Sequence, residues 1–183
     1  MNLYSEIERY VPKCEQEARD REQMLRFMAA NDDYLLRTNP IAHLTCSIWT
    51  LNPARTKTLM VYHNIYNSWS WVGGHADGEA DLRAVALREL QEETGVEGRL
   101  LTQEIFSLET LGVSGHWKKG AYVPCHLHFN LTFLAEADDT QALAVKPDEN
   151  KAVQWFALED VPKVSQEPWM IEHIYQKLIQ NSR

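Results

Sequence analysis

Apolar residues recur at spacings of three and four at both ends of the chain, and this period predicts helices there. Residues 3–37 are rich in Glu, Arg and Gln, with apolar positions concentrated between 24 and 28, so we expect two short helices lying on the rest of the protein. A further helix is predicted over about residues 168–180, with apolar positions from 171 to 178 facing the core.

The middle of the chain alternates between apolar and polar residues, which is the period of a strand. The first alternating run places four residues on one face: Ala42, Leu44, Cys46 and Ile48. Further strands are predicted over residues 59–62, 99–108 and 152–157. A longer strand is predicted from 125 to 133, with one apolar face and one polar face.

A glycine-containing turn over residues 73–78 leads into a helix predicted from about 79 to 94. Gly95 follows directly, and glycine is favoured there because the residue after a helix often adopts a left-handed conformation. A strand, a turn and a helix are therefore predicted in that order.

Three carboxylates lie near the end of this helix, on the side that its apolar residues would bury. Glu89 and Glu93 continue the apolar stripe that begins at Leu82, and their neighbour is Glu92. Mutual repulsion, the negative end of the helix dipole and desolvation would each destabilise these charges. A solvated acidic end of a surface helix is the alternative. The phase of the stripe favours a bound divalent cation such as Mg²⁺, which takes oxygen ligands.

Length, composition and charge limit the partners of this protein. The chain has 183 residues, of which 44% are hydrophobic and 24% charged, as in one folded, soluble domain with a helical extension. Its formal net charge is −8 at pH 7, which repels nucleic acids and anionic membrane surfaces. We therefore expect neither as a partner, and a phosphorylated substrate would need a cation to hold it.

The three cysteines, Cys14, Cys46 and Cys125, fit neither a disulfide framework nor a zinc knuckle. Cys46 and Cys125 fall on the apolar faces of predicted strands and are expected in the core. The first residues lack the pattern of a signal peptide, and no run of about 18 apolar residues occurs. We expect a cytoplasmic protein with reduced thiols, no export signal and no membrane span.

Residues 74–96 resemble the Nudix box, G-x5-E-x7-R-E-U-x-E-E-x-G-U, in which U is a bulky aliphatic residue. Eight of its nine fixed positions match: Gly74, Arg88, Glu89, Leu90, Glu92, Glu93, Gly95 and Val96. Ala80 stands where the pattern has glutamate. The resemblance implies an α/β (α+β) Nudix fold, a mixed β-sheet sandwiched between helices. Residues 1–38 would form an N-terminal helical extension and 39–183 the Nudix hydrolase domain.

The resemblance also implies what the box residues do. Three carboxylates would bind Mg²⁺, or Mn²⁺ in its place: Glu89, Glu92 and Glu93. Arg88 would orient these acids by ion pairing. The glutamate missing at Ala80 usually supports that arginine, and Asp81, seven residues before Arg88, is a candidate to replace it.

Nudix hydrolases cleave pyrophosphate linkages, typically in a nucleoside diphosphate joined to another group, so the resemblance implies a small-molecule diphosphate substrate. A bound cation would neutralise the diphosphate and activate a water. The catalytic residues implied are Arg88, Glu92 and Glu93. Glu149, in a loop predicted over residues 138–150, is a further candidate for the base. The resemblance leaves the oligomeric state open, with a homodimer as one option.

Five residues are candidates for contact with the substrate: Gly74, Lys118, Lys119, His126 and His128. The two lysines lie in a segment, 112–120, whose glycines are typical of a mobile hairpin loop, although paired lysines are usually solvated. The two histidines share a strand face, and we favour a polar groove or solvent over a metal because no third ligand is evident. Trp69 and Trp71 could stack on a flat substrate group, but core packing is favoured.

Two other functions stay open. The alanine at position 80 and the N-terminal helices favour a non-catalytic nucleotide-binding or regulatory module of the same fold. An isopentenyl-diphosphate-isomerase-like enzyme of the same superfamily would need a reactive cysteine in its pocket, and the expected burial of Cys46 and Cys125 speaks against it. No signature in the chain predicts which diphosphate is the substrate.

Overall fold

The computed structural model of the protein describes residues 2–118 and 120–182, apart from the side chain of Lys118. The described helices are α1 (Leu3–Arg9), α2 (Glu15–Ala30), α3 (Leu82–Thr94), α4 (Val161–Val164), α5 (Pro168–Met170) and α6 (Gln176–Asn181), with a π-helical segment, Ile171–Tyr175, between the last two. The described strands are β1 (Ala42–Leu51), β2 (Lys57–His63), β3 (Ser68–Ser70), β4 (Val72–His75), β5 (Arg99–Leu100), β6 (Ser107–Val113), β7 (His116–Lys118), β8 (Ala121–Val123), β9 (His126–Glu136) and β10 (Asn150–Ala157). The fold is a mixture of helices and strands, as predicted, and none of the described helices is long and apolar enough to cross a membrane.

The chain divides into two compact units, and β1, β4, β9 and α3 supply residues to both. The first unit consists of three segments: Met1–Cys46, Gly74–Val85 and Ile105–Thr132. The second unit consists of the other three: Ser47–Gly73, Ala86–Glu104 and Phe133–Arg183. The predicted boundary near residue 38 remains a prediction.

In the first unit, α2 packs against β6, and β6 pairs antiparallel with β9 from Ser107 opposite Thr132 to Val113 opposite His126. Two short N-terminal helices are present, as predicted, and Met24 of the apolar stretch is fully buried in α2. The strands β7 and β8 form an antiparallel hairpin over part of the predicted glycine-rich loop.

The face of β9 that was predicted to be polar is buried at Asn130 and Thr132. Asn130 and Thr132 donate side-chain hydrogen bonds to the Glu109 carboxylate, at 3.1 and 3.0 Å. Glu109 is itself 0% exposed. Helix α2 contributes to this network, because its buried Glu17 accepts a hydrogen bond from the Ser107 hydroxyl at 2.9 Å. The polar residues of β9 are therefore inside because a network of hydrogen bonds satisfies them.

In the second unit, β2 pairs antiparallel with β1, β3 and β10. The C-terminal helical region is present over the predicted range, and its end is fixed to the core. Trp49 is fully buried and donates its indole N–H to the Ser182 hydroxyl at 3.0 Å. Tyr175, in the π-helical segment, is also fully buried and lies with its ring centroid 6.1 Å from that of Trp49.

The single strand predicted over residues 99–108 is wrong, because the chain leaves the sheet between β5 and β6. The Leu101 amide donates a hydrogen bond to the Leu134 carbonyl, and the Phe106 amide donates one to the Thr132 carbonyl, each at 2.9 Å. The segment between these bonds is longer than the stretch of β9 that it faces, so it forms a turn. The Thr102 hydroxyl accepts the amide of Glu104 at 3.1 Å within that turn.

Helix α3 begins at Leu82, later than the predicted start at 79, because Asp81 caps it. The Asp81 carboxylate accepts two backbone amides of the first turn, at 3.2 Å each. It therefore serves the helix cap, whereas the ion-pair partner of Arg88 is Glu92. Gly95 ends the helix with φ +74°, the left-handed conformation that the sequence predicts.

Candidate functional site

Two carboxylates from the last turns of α3 meet a third from the segment before β10. One carboxylate oxygen from each of Glu89, Glu93 and Glu149 lies within 4.8 Å of the other two. These three residues, called the carboxylate cluster below, all belong to the second unit. The apolar stripe from Leu82 does lead inward, since Leu82 is fully buried and Glu93 is only 3% exposed.

Hydrogen bonds tie the Glu149 segment to its surroundings. The Glu149 amide donates to the Lys146 carbonyl, and the Asn64 amide donates to the Glu149 carbonyl, each at 2.9 Å. The side-chain amide of the buried Asn150 donates to the Glu93 carbonyl at 3.1 Å. The residue after Glu149 is therefore fixed directly to the turn of α3 that carries Glu93.

Burial and like charge both oppose ionisation in the carboxylate cluster. Burial, followed by the charges of Glu149 and Glu89, raises the pKa of Glu93 to about 8, against the opposing effect of a backbone hydrogen bond from Gly73. The pKa of Glu89 is raised as well, mainly by burial. Carboxyl groups held together in this way lose their mutual repulsion when a cation binds between them.

Lys146 supplies a positive charge at the edge of the cluster, and sequence reasoning did not identify it. Its Nζ lies 3.1 Å from Glu149 Oε1 and 3.3 Å from Glu92 Oε2. Burial disfavours the charge of this lysine, but the hydrogen bonds to Glu149 and Glu92 outweigh burial and raise its pKa. The only signal in the sequence is a lysine three residues before Glu149, a spacing common to many surface pairs.

Glu92 lies outside the carboxylate cluster. Its side chain is 47% exposed and pairs with Lys146 and, at 3.9 Å, with Arg88. The Arg88 side chain is half-exposed, and its ion pair within this group of acids is with Glu92. The structure thus brings together Glu89, Glu93 and Glu149, and it places Glu92 and Arg88 beside them as an ion pair.

Of the residues predicted to contact the substrate, Gly74, His126 and His128 lie in the first unit. Gly74 precedes His75 at the end of β4, and His126 and His128 start β9. The sequence shows no third ligand for these two histidines at a zinc-like spacing, but the structure places the imidazoles of His43 and His75 beside them. Strand pairing brings these four imidazoles together, and the sequence does not show which strands pair. Lys119 and the side chain of Lys118 lie outside the described residues.

The tryptophans and the cysteines were assigned to the core, and one cysteine is not there. Trp71 is buried and makes an edge contact with Tyr175, while Trp69 makes edge contacts with Tyr62 and Phe156. Cys46 is buried, as predicted, but Cys125 is exposed. It precedes β9, which begins one residue later, and its sulfur accepts the Gly115 amide at 3.1 Å. Burial of Cys125 is therefore no argument against isomerase chemistry.

A sequence model of the NUDIX domain matches residues 42–178, well over half of the chain. The chain therefore belongs to the Nudix family, as its box residues predicted. No curated protein sequence matches it.

Solved structures share this fold at low sequence identity. A NUDIX-family hydrolase from Clostridium perfringens is 17% identical, with a TM-score of 0.52, over 74% of this chain and 95% of its own. A C. elegans Ap4A hydrolase is 19% identical, with a TM-score of 0.53, over 75% and 93%. The NUDIX domain of Shewanella oneidensis NrtR, complexed with ADP ribose, is 20% identical, with a TM-score of 0.52, over 86% and 95%. These similarities confirm the predicted Nudix fold.

Proposed function

We propose that this protein is a divalent-cation-dependent hydrolase of the pyrophosphate linkage in a nucleoside diphosphate derivative or a related small molecule. One observation carries the proposal. The end of the box helix and the segment before β10 gather three carboxylates whose oxygens lie within 4.8 Å of one another. The match to the NUDIX domain supports diphosphate hydrolysis as the reaction at this cluster.

The carboxylate cluster suits Mg²⁺, or Mn²⁺ in its place. Its donors are all carboxylate oxygens, which hard divalent cations prefer, and the most buried donor, Glu93, lies beside two other acids. A cation held here would neutralise charge on the diphosphate and would lower the pKa of a bound water. Glu89, Glu93 and Glu149 are the residues that would hold it. Glu92 would coordinate the cation only if it gave up its ion pair with Lys146.

Glu149 is the residue that we assign to accept a proton from the attacking water. Its side chain is 41% exposed, whereas Glu93 is 3% exposed, so water reaches Glu149 more readily. The Nζ of Lys146 lies 3.1 Å from Glu149 Oε1 and holds this carboxylate at the edge of the cluster. Arg88 acts as a positioning residue, because it contacts Glu92 and holds that carboxylate beside the cluster.

A nucleotide-derived substrate is the class that the comparisons favour. Two proteins with this fold are named for Ap4A hydrolysis and for a complex with ADP ribose, and both ligands contain adenosine joined to phosphates. The net charge of −8 would repel such anions, so a cation at the cluster also serves to hold the substrate.

A substrate panel tests the proposal. The protein is assayed with Mg²⁺ at mildly alkaline pH against nucleotide sugars, dinucleoside polyphosphates, nucleoside triphosphates and prenyl diphosphates, and products are separated by chromatography. We expect cleavage of one of these classes, with kcat reduced about 10²–10⁴-fold in Glu149→Gln. Glu172→Gln, whose side chain is 75% exposed, is the matched control and should keep the wild-type rate.

Two results would contradict the proposal. One is the absence of turnover with every class of substrate in the panel. The other is turnover that is undiminished in the double variant Glu93→Gln, Glu149→Gln.

A non-catalytic binding module is the second candidate, and Ala80 is the observation that favours it. This alanine is exposed in the turn before α3, where the family pattern has glutamate. Such a module would bind a nucleotide without consuming it. Calorimetry with ADP ribose, followed by product analysis of the same sample, separates the two candidates, because heat without product would favour the module.

A further inference from the structure

Four of the seven histidines lie together in the first unit: His43, His75, His126 and His128. These residues, called the histidine cluster below, have ring centroids 4.8–5.2 Å apart in five of their pairings. One ring nitrogen from each of His43, His75 and His128 lies within 4.8 Å of the other two. A hydrogen bond joins His126 Nε2 and His128 Nε2, which lie 3.1 Å apart.

Three strands supply these side chains. His43 is the second residue of β1, His75 is the last residue of β4, and His126 and His128 lie two apart on β9, so their side chains share a face. Ligands on strands are held more precisely than ligands on loops. The cluster is therefore a feature of the paired strands.

The hydrogen bond of His126 fixes which of its nitrogens faces the other rings. His126 Nδ1 lies 2.8 Å from the Pro124 carbonyl oxygen, which can only accept, so Nδ1 carries the proton. In the neutral ring, Nε2 then carries a lone pair that accepts the hydrogen bond from His128 Nε2 at 3.1 Å, and a metal ion would take the place of that hydrogen. Metal-binding histidines are commonly oriented by such a bond from their other ring nitrogen to a carbonyl group.

His43 shows that the cluster is not satisfied by hydrogen bonds alone. Its side chain is 2% exposed, and both of its ring nitrogens are buried without a hydrogen-bond partner of normal geometry. Buried polar atoms in folded proteins nearly always have a partner, and two unpaired nitrogens on one ring are costly. A metal ion bound to one of them would remove part of that cost.

Burial favours the neutral form of two of these imidazoles, those of His128 and His43. Burial, followed by the nearby rings of His75, His43 and His126, lowers the pKa of His128 to about 2. Burial also lowers the pKa of His43, against a weaker opposite effect of the Asn39 backbone. Neutral imidazole is the form that binds a metal.

We propose that the histidine cluster binds a divalent transition-metal ion of the zinc and cobalt class. Nitrogen ligands at about 2.0–2.1 Å from a tetrahedral zinc ion lie about 3.4 Å apart. The ring nitrogens of His43, His75 and His128 lie within 4.8 Å of one another, so rotation of these rings would bring them to that spacing. Imidazole favours such borderline ions over Mg²⁺, which prefers oxygen. The site is built from different residues than the carboxylate cluster and does not depend on the proposed hydrolase activity.

Cobalt titration tests this proposal. Untagged protein carrying Glu93→Gln and Glu149→Gln, which disable the carboxylate cluster, is freed of metal with a chelator and titrated with Co²⁺. We expect saturation at one ion per chain, with visible absorption bands typical of nitrogen-coordinated cobalt, and displacement by Zn²⁺. Adding His75→Gln and His128→Asn should weaken Co²⁺ binding at least about tenfold, while adding His173→Gln should not. His173 is the matched control because it lies outside the cluster and is partly exposed.

X-ray absorption of the zinc-loaded wild-type protein provides a second test that needs no variant to fold. Scattering from two or more imidazoles would support the proposal, and a shell of oxygen ligands alone would overturn it. It would also be overturned if no stoichiometric Co²⁺ bound, or if folded His75→Gln, His128→Asn protein bound Co²⁺ as tightly as its parent. Failure of these tests would leave the Mg²⁺-dependent hydrolysis assay unaffected, so the two proposals fail separately.

Discussion

Glu93 combines the deepest burial in the carboxylate cluster with two acidic neighbours. In solvent its carboxylate would be ionised at neutral pH, but in the folded protein its pKa is raised to about 8. Cation binding must therefore displace a proton from this residue near neutrality. The chemistry expected of the cluster thus depends on pH through Glu93.

The raised pKa of Glu93 predicts how stability changes with pH in the metal-free protein. Between about pH 4.5 and 8 the folded protein keeps a proton that the unfolded chain releases. The stabilisation is complete below pH 4.5 and is lost as pH rises through 8, at up to about 1.4 kcal/mol per pH unit. We expect urea unfolding with chelator present to show this fall for the wild type and a flatter profile for Glu93→Gln. Identical profiles for the two proteins would contradict the assignment.

At the scale of elements, α3 and the loop before β10 meet at Gly95. Its φ is +74°, and a Cβ atom there would lie 2.9 Å from the Cβ of Ala144. The Ala144 amide donates to the Thr94 carbonyl at 2.8 Å, so the same contact holds the loop that carries Glu149 against the helix end. The geometry of the carboxylate cluster therefore depends on this glycine.

Gly95→Ala is expected to lower the free energy of unfolding by about 1–3 kcal/mol, because alanine is strained in the left-handed conformation and crowds Ala144. The rate of hydrolysis should fall together with stability, because the substitution would displace Glu149 from the carboxylate cluster. Denaturant unfolding and the hydrolysis assay measure both effects. Gly112→Ala is the control, since a Cβ atom at that position has no neighbour within 4 Å. Equal stability of the two variants would refute this role of Gly95.

The elements that the sequence predicted well are those defined by local patterns. Helix α3 was predicted from its apolar stripe and its glycine stop, and only its start was misplaced, because the capping role of Asp81 was not recognised. The strand over residues 99–108 failed because a threonine-based turn interrupts an apolar run. Local periodicity does not show where a chain leaves a sheet.

The candidate site was predictable in part for the same reason. Glu89 and Glu93 lie one helical turn apart, so their meeting follows from the helix period. Glu149 was named as a catalytic candidate from the family resemblance, but its closeness to the other two follows from tertiary structure. His43 and His75 were not identified, because only strand pairing brings them to His128.

At the scale of the whole molecule, acidic charge is the dominant feature. The net charge of −8 opposes both an anionic substrate and the gathering of three carboxylates, and one bound cation would relieve both conflicts. The histidine cluster adds a set of nitrogen donors to the same chain. The protein thus offers two donor sets that differ in the metals they prefer.

A Mg²⁺ titration followed by calorimetry and by thermal unfolding tests the central claim most directly, because Mg²⁺ prefers the carboxylates over the imidazoles. We expect wild-type protein and Glu172→Gln to bind Mg²⁺ with measurable heat and to gain stability, by about 2.7 kcal/mol when Mg²⁺ is at 100 times its Kd. The double variant Glu89→Gln, Glu93→Gln should lose both effects. Wild-type protein that shows neither heat nor stabilisation, or a double variant that shows both in full, would contradict the claim that this cluster is a cation site.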